Sequence, residues 1–348
     1  MTLPTPENSK SFLPLSYTTR SSIDLFRHTI NNLIDGKDPR IAIVAGPCSI
    51  HDPASALEYA HRFKALAEKV KKHCFLVMRV YLEKPRTTTG WKGFIYDPEL
   101  DGSGKIDQGI LLSRKLLLDL AKMQVPVATE ILDPFLLPYI EDLIAWGFIG
   151  ARTSSSQIHR HLASSLVLPI GFKNTTDGSS ESAIHAIEVA RAPHQVLFIR
   201  DDGKVSYKQS EGNLNTHLVL RGGHNSTNYD PASLALICKK LKHSHIHSRV
   251  LVDCAHGNCQ KQVFRQKEAF FSVLQQIEQG NKKILGMMLE SHLEEGQQLL
   301  SEEPSSLRYG ISITDPCIGW SMTEELVSSV AGGGLSSSSL ASFSSYNA

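Results

Sequence analysis

What this chain lacks narrows its class before any motif is read. No run of about 18 apolar residues occurs, so no membrane-spanning helix is expected. The opening, MTLPTPENSKSF, has no basic segment followed by an apolar one, so no secretory signal is expected. Neither charge sign dominates: 36 Lys and Arg face 35 Asp and Glu. No global field therefore draws the protein to nucleic acid or a membrane surface, and any basic site must be local. Cysteine is sparse, with six in 348 residues at 48, 74, 238, 254, 259 and 317. That is too few for a disulfide framework and points to reduced thiols in a cytoplasmic protein.

Apolar residues make up 41% of the chain, ample for one large core. Short apolar runs alternate with amphipathic stretches. IAIVAG (41–46), FLVMRV (75–80), VPVATEI (125–131), FIGAR (148–152), VLPIGFK (167–173), HLVLR (217–221), RVLVDCAH (249–256) and KILGMMLES (283–291) make eight candidate strands. Their near-continuous apolarity suits strands buried on both faces of a parallel sheet. Between them, residues 54–72 place Ala56, Tyr59, Ala60, Phe63, Leu66, Ala67 and Val70 at helical spacing. Asp52-Pro53 offers that helix a cap and a first-turn proline, and Asp-Pro recurs at 133–134 and 230–231 before further periodic stretches. VLFIRDDGKVSYK (196–208) breaks the rhythm and reads as a hairpin turning at Asp202-Gly203, ahead of the sixth strand.

The expected fold is α/β, a (β/α)8 barrel with a small β-hairpin insertion; an open doubly wound sheet is the alternative. Residues 1–35 are expected as a short N-terminal arm, 36–331 as the catalytic barrel, and the Gly/Ser-rich 332–348 as a disordered tail.

The strand ends carry the functional signal. In order they read Cys48, Arg79 with Lys84, Glu130, Arg152, Lys173, Arg221, His256 and Glu290, every one ionisable. In a barrel these ends converge on one mouth. Arg79, Lys84, Arg86, Arg152, Lys173 and Arg221 would bring six cations together, which implies a substrate set with more than one acidic group. Cys48, His256 and Glu290, joined by Asp315 in SITDPCIGW, offer a mixed donor set for one borderline divalent cation such as Mn, Fe, Co or Zn. Asp315 is expected to be spared for this because Ser321 and Glu324 offer a capping box to the following helix. Cys254 and Cys259 flank His256, but CAHGNC fits no usual metal knuckle, and HSHIHS (243–248) reads as a solvated loop.

At these residues a resemblance emerges. GPCSIHD (46–52), MRVYLEKPRTTTGWKG (78–93), IGARTSSSQ (149–157), GFKNTTDG (171–178), LRGG (220–223), DCAHGN (253–258), MLESH (288–292) and SITDPCIGW (312–320) resemble the type I 3-deoxy-D-arabino-heptulosonate-7-phosphate (DAHP) synthases, over roughly residues 20–330. The resemblance implies a (β/α)8 barrel, a homodimer or homotetramer, that condenses phosphoenolpyruvate with erythrose 4-phosphate as the first step toward the aromatic amino acids. It implies metal ligands at Cys48, His256, Glu290 and Asp315, and phosphoenolpyruvate contacts at Arg79, Lys84, Arg152, Lys173 and Arg221. It assigns the aldose phosphate to Arg86 and Thr87. The mechanism that follows has Lys84, Glu130 and His256 as the catalytic residues, with Lys84 donating a proton to the new alkoxide and Glu130 orienting the attacking water. The arm is about a dozen residues shorter than in the feedback-regulated members, so weak inhibition by Phe, Tyr or Trp is expected. The alternatives are the sister 3-deoxy-D-manno-octulosonate-8-phosphate synthase, which resembles Lys-Ala-Asn-Arg-Ser where this chain has Lys84 to Thr88, and a non-catalytic sugar-phosphate sensor.

Overall fold

Each of the eight apolar runs becomes a strand of a closed parallel barrel in the computed structural model, which describes residues 2–247, 249–301 and 303–332. The strands are β1 (Ile41–Gly46), β2 (Cys74–Arg79), β3 (Val127–Glu130), β4 (Trp146–Ile149), β5 (Ile170–Lys173), β8 (Thr216–Leu220), β9 (Val250–Asp253) and β10 (Ile284–Glu290). Sequential neighbours pair around the ring, and β1 against β10 closes it in the register Ala42↔Gly286 to Gly46↔Glu290. The open-sheet alternative is excluded. The inserted hairpin is β6 (Gln195–Ile199) paired antiparallel with β7 (Val205–Gln209), outside the barrel and ahead of its sixth strand.

The side-chain period of two explains both the uniform apolarity and the charged ends. Along β1, Ile43 and Ala45 face outward to the helices, while Ala42 and Val44 face the barrel interior. The interior set includes Val77, Ala128, Phe148, Val219, Leu251 and Met288. Two residues further along each strand path, the same inward parity delivers Arg79, Glu130, Gly150, Arg221, Asp253 and Glu290 to the mouth. The charged residues are thus the last inward positions of strands whose earlier inward positions are core.

The outer layer comprises α3 (Pro53–Val70), α4 (Ile106–Lys122), α5 (Gln157–Ser164), α6 (Glu181–Arg191), α7 (Pro231–His243), α8 (Arg265–Glu278) and α9 (Trp320–Ala331). Asp52 caps α3 by accepting from Ala54 and Ser55 N–H, and Asp230 caps α7 by accepting from Ser233 N–H. Asp133-Pro134 behaves differently. No α-helix follows it, only two single 3₁₀ turns, Leu137–Tyr139 and Glu141–Leu143. Pro138 removes one N–H and keeps Leu137 from propagating a helix.

The segment expected as an arm, 1–35, folds into α1 (Pro6–Phe12) and α2 (Tyr17–Asp35), N-capped by Thr5 and Ser16. Ile30, Leu33 and Ile34 of α2 join the interior cluster of the barrel, so α2 plugs the end opposite the mouth. The expected disordered tail lies outside the described residues apart from Gly332. No helix among the described residues is long and apolar enough to cross a membrane.

Candidate active site

Three of the four donors expected from sequence meet at one point. One ligand atom each from Cys48, Glu290 and Asp315 lies within 4.8 Å of the others, and this is the one such group of three among the described residues. His256 approaches from the β9 side, with Nε2 3.5 Å from Glu290 Oε1 and Nδ1 3.0 Å from Asp253 Oδ2. It takes a left-handed backbone conformation (φ 59°), uncommon for a residue with a Cβ. That turn, just past the end of β9, aims the ring back at the strand's own carboxylate. A thiol, two carboxylates and an imidazole whose far nitrogen faces a buried carboxylate fit a borderline divalent cation. Cys254 and Cys259 are buried free thiols outside this group, and none of the six cysteines is paired.

Asp315 is present for a reason other than the one expected. The Ser321–Glu324 capping box does not form: Gly319 is the N-cap of α9, with no side-chain cap, and Glu324 pairs with Lys69 at 3.0 Å. Asp315 sits instead on the loop before α9, where Lys84 Nζ reaches its Oδ2 at 2.6 Å and Cys48 Sγ at 2.9 Å. Burial opposes ionisation of Asp315, yet the Lys84 ammonium holds its carboxyl well below the usual carboxylate range. Burial works against the Lys84 charge as well, and Cys48 and Asp315 more than restore it, so its pKa lies above the ordinary value. The Cys48 thiol is pushed up to about 11 by burial and then by the Glu290 carboxylate, against the pull of Lys84.

The six cations also converge, but three arrive already neutralised. Arg79 is fully buried: Nη2 donates to Glu290 Oε1 at 2.8 Å, Nε and Nη2 donate to the Pro47 and Cys48 carbonyls, and the guanidinium stacks 3.6 Å from the Tyr81 ring centroid. Lys173 pairs with Asp253 at 2.7 Å with both side chains buried, and Lys84 pairs with Asp315. Six uncompensated positives therefore overstated the anion demand. Among the described residues no carboxylate lies within ion-pair distance of Arg86, Arg152 or Arg221. Arg152 donates to Thr87 Oγ1 at 2.9 Å, and Arg86 Nε donates to the Trp91 carbonyl at 2.8 Å. Burial lowers the Arg221 pKa; Asp253 offsets this, while neighbouring Arg152 adds to the lowering. A guanidinium in that setting is stabilised by an arriving anion.

Glu130, nine-tenths buried, lies over the end of β4, where the position of a Cβ on Gly150 would meet its carboxylate. A side chain at residue 150 would displace the Glu130 carboxylate from that position. Arg86, Trp91, Thr314 and Asp315 line a cleft of about 600 Å³ beside the donor cluster.

Sequence reasoning missed Asp253. Its Oδ2 serves both Lys173 and His256 while Oδ1 accepts from Ala255 N–H, and these partners hold its pKa well below the ordinary value despite complete burial. The available signal was the aspartate three residues before the histidine in DCAHGN. The Asn174–Asn228–Asn258 cluster was also missed; Asn174 Oδ1 accepts from Arg221 N–H at 2.7 Å and fixes the start of that arginine's turn.

A parallel barrel whose mouth brings a group of possible metal donors together with arginines that have no carboxylate partner among the described residues has the architecture of a barrel enzyme. The comparisons narrow the class. Residues 17–328 match the model of the DAHP synthetase I family, and the chain belongs to that family. The Tyr-sensitive phospho-2-dehydro-3-deoxyheptonate aldolase of Escherichia coli K12 is 48% identical over 325 residues, 93% of this chain and 91% of the relative. The Trp-sensitive enzyme of Salmonella typhimurium LT2 is 44% identical over 330 residues, 94% of each chain. A solved phospho-2-dehydro-3-deoxyheptonate aldolase from Francisella tularensis superposes with a TM-score of 0.93 at 42% identity, covering 96% of this chain and 97% of that one.

Proposed function

We propose that this enzyme condenses phosphoenolpyruvate with D-erythrose 4-phosphate, giving DAHP and phosphate, the entry reaction to aromatic amino acids. The observation that carries this reading is the meeting of Cys48, Glu290 and Asp315 with Lys84, beside a cleft that Arg86 and Asp315 both line. Family membership supports it.

Cys48, His256, Glu290 and Asp315 would hold one divalent ion of the Mn, Fe, Co or Zn class. Such an ion, when bound, supplies Lewis acidity at the aldose carbonyl oxygen. Arg79, Lys84, Lys173, Arg152 and Arg221 bind and orient the enol phosphate, the first three held in register by their own carboxylate partners. Arg86 and Thr87 hold the aldose phosphate. The methylene carbon of the enol bonds to the aldehyde carbon, water adds at the neighbouring carbon, and phosphate departs by C–O cleavage. Lys84 keeps its proton until oxyanion character develops beside it, then donates. Glu130, beside Gly150, orients the incoming water.

The enzyme is proposed to work in the cytoplasm as a homodimer or homotetramer. A free two-stranded hairpin is marginal in water. In β6 and β7, Leu197, Val205 and Tyr207 are largely exposed, and the cross-strand pairs Leu197↔Tyr207 and Ile199↔Val205 share one face. A second copy of the chain would cover it.

The test is a coupled phosphate-release assay with phosphoenolpyruvate and either aldose phosphate. Faster turnover with erythrose 4-phosphate supports the assignment. Faster turnover with arabinose 5-phosphate would overturn it in favour of the sister synthase, and no release with either would leave only a sensor.

A further inference from the structure

The loop that carries Arg86 and Thr87 is closed at its base by backbone bonds and pinned from beneath by two side chains that take no part in the proposed chemistry. Lys84 N–H donates to the Lys92 carbonyl at 2.9 Å, and Ile95 N–H donates to the Leu82 carbonyl at 3.3 Å. The two arms approach so closely that a Cβ on Gly93 would lie 2.6 Å from Glu83 Cα, at a backbone φ of 115° that only glycine takes readily. Residues 85–91 therefore form one closed excursion.

From the first arm, Glu83 turns away from the mouth, and its carboxyl accepts the Asp133 N–H at 3.2 and 3.4 Å. From the second arm, Tyr96 donates its hydroxyl to Asp133 Oδ2 at 2.8 Å. The remaining Asp133 oxygen accepts from Phe135 N–H at 2.8 Å, so all three bonds lock one turn. That turn leaves the end of β3 three residues after Glu130 and is tied to the frame by Ile131 N–H donating to the Phe148 carbonyl. Two side chains, one from each arm, thus grip a single rigid residue of the barrel rim.

Nothing in packing demands a carboxyl there. Glu83 is 4% exposed, and burial followed by the Asp133 carboxylate pushes it up to about 8, against the hydrogen bonds from Asp133 and Leu132. Enclosing such a group is unfavourable unless its hydrogen bonds secure something. What they secure is the height and tilt of the 85–91 excursion. Arg79 and Lys173, by contrast, are held by strands and Arg221 by Asn174 just past β8, whereas Lys84 and Arg152 adjoin the loop.

We propose that Glu83 and Tyr96 are positioning residues that clamp the 85–91 loop to Asp133 and so set the geometry of the aldose-phosphate end of the active site. The proposal rests on the assignment of Arg86 and Thr87 to the aldose phosphate.

Steady-state kinetics of the metal-loaded enzyme, varying each substrate in turn, test it with Glu83→Ala, Glu83→Gln and Tyr96→Phe. Glu83→Ala should raise the KM for erythrose 4-phosphate about tenfold and that for phosphoenolpyruvate by a clearly smaller factor, since Lys84 and Arg152 adjoin the loop while Arg79, Lys173 and Arg221 do not. Glu83→Gln keeps an oxygen acceptor for the Asp133 N–H and should restore the aldose KM. Tyr96→Phe should shift it in the same direction as Glu83→Ala, and it carries the test if the alanine variant does not fold. Trp91 emission should move with the aldose KM, since its indole donates to the Asp97 carbonyl at the loop base. An unchanged aldose KM in both Glu83→Ala and Tyr96→Phe, or equal rises for both substrates, would overturn the clamp while leaving an active wild type. A wild type that releases no phosphate from the two substrates would instead overturn the functional reading beneath it.

Discussion

Asp253 and Lys173 form an ion pair of 2.7 Å whose two side chains are sealed from solvent, and the same carboxylate oxygen lies 3.0 Å from His256 Nδ1. One buried group therefore anchors a cation of the proposed enol-phosphate clamp and faces the far nitrogen of a proposed metal ligand. Asp253→Asn keeps the shape and removes the charge. It should weaken divalent-metal affinity by about 10–100-fold, the usual consequence of losing the carboxylate behind a ligating histidine. The KM for phosphoenolpyruvate should rise as well, because Lys173 loses its anchor. Calorimetric titration of the metal into wild type and variant measures the first effect, and initial rates measure the second. Equal metal affinities would show that Asp253 serves only the lysine.

Cys48 makes a second prediction, in which pH is the variable. Its thiol, pushed up to about 11, holds its proton at neutral pH, while a metal-bound cysteine is a thiolate. Uptake of a divalent ion must therefore release that proton. Apparent affinity should climb by about tenfold per pH unit between roughly pH 6 and 8, with proton release seen as a buffer-dependent heat. Cys48→Ala should abolish metal-supported activity and flatten that slope. A variant that binds metal with the wild-type slope would move the site away from residue 48.

Arg86→Ala probes the division of labour between the two substrates. Arg86 lies on the cleft with Asp315 and has no carboxylate partner among the described residues, whereas Arg79 and Lys173 are tied into the frame. Its loss should raise the KM for erythrose 4-phosphate by on the order of tenfold or more, the scale of one charge-assisted contact, and leave that for phosphoenolpyruvate within about twofold. Initial rates over a two-substrate grid decide it. Parallel rises in both constants would contradict the assignment.

Much of this fold was legible because barrel strands are buried on both faces. IAIVAG and KILGMMLES could hardly be anything else, and the inward parity that buries Val77 and Met288 also delivers Arg79 and Glu290. What escaped was set by tertiary context. The Ser/Thr-rich start looked like loop chemistry, yet Thr5 and Ser16 are helix caps, and α2 fills the barrel floor. The periodic stretch after Asp133 looked helical, yet Pro138 interrupts it. The charge count at the mouth was too high because a sequence does not show which carboxylate meets which ammonium. Asp253 and Glu290 neutralise Lys173 and Arg79 from strands two places away round the barrel and far away in the chain.

His217 gives the stability of the barrel a pH dependence that is separate from catalysis. It lies inside the barrel, where Trp146 Nε1 donates to its Nε2 at 3.0 Å and Nδ1 faces the Leu218 carbonyl at 3.2 Å. Burial lowers its pKa from the ordinary 6.5 to about 4, with only the Leu218 hydrogen bond opposing. The unfolded chain therefore binds a proton that the folded chain refuses throughout that window, so stability falls as pH drops from about 6.5 toward 4. Each unit of the window is worth about 1.4 kcal/mol, so the loss between pH 7 and 5 approaches about 2 kcal/mol from this one group. His217→Gln keeps an oxygen that can accept from Trp146 but cannot be protonated. Chemical denaturation at the two pH values should show the wild type losing more than the variant by roughly that amount. Identical losses would mean that the imidazole finds a way to carry its proton inside the barrel.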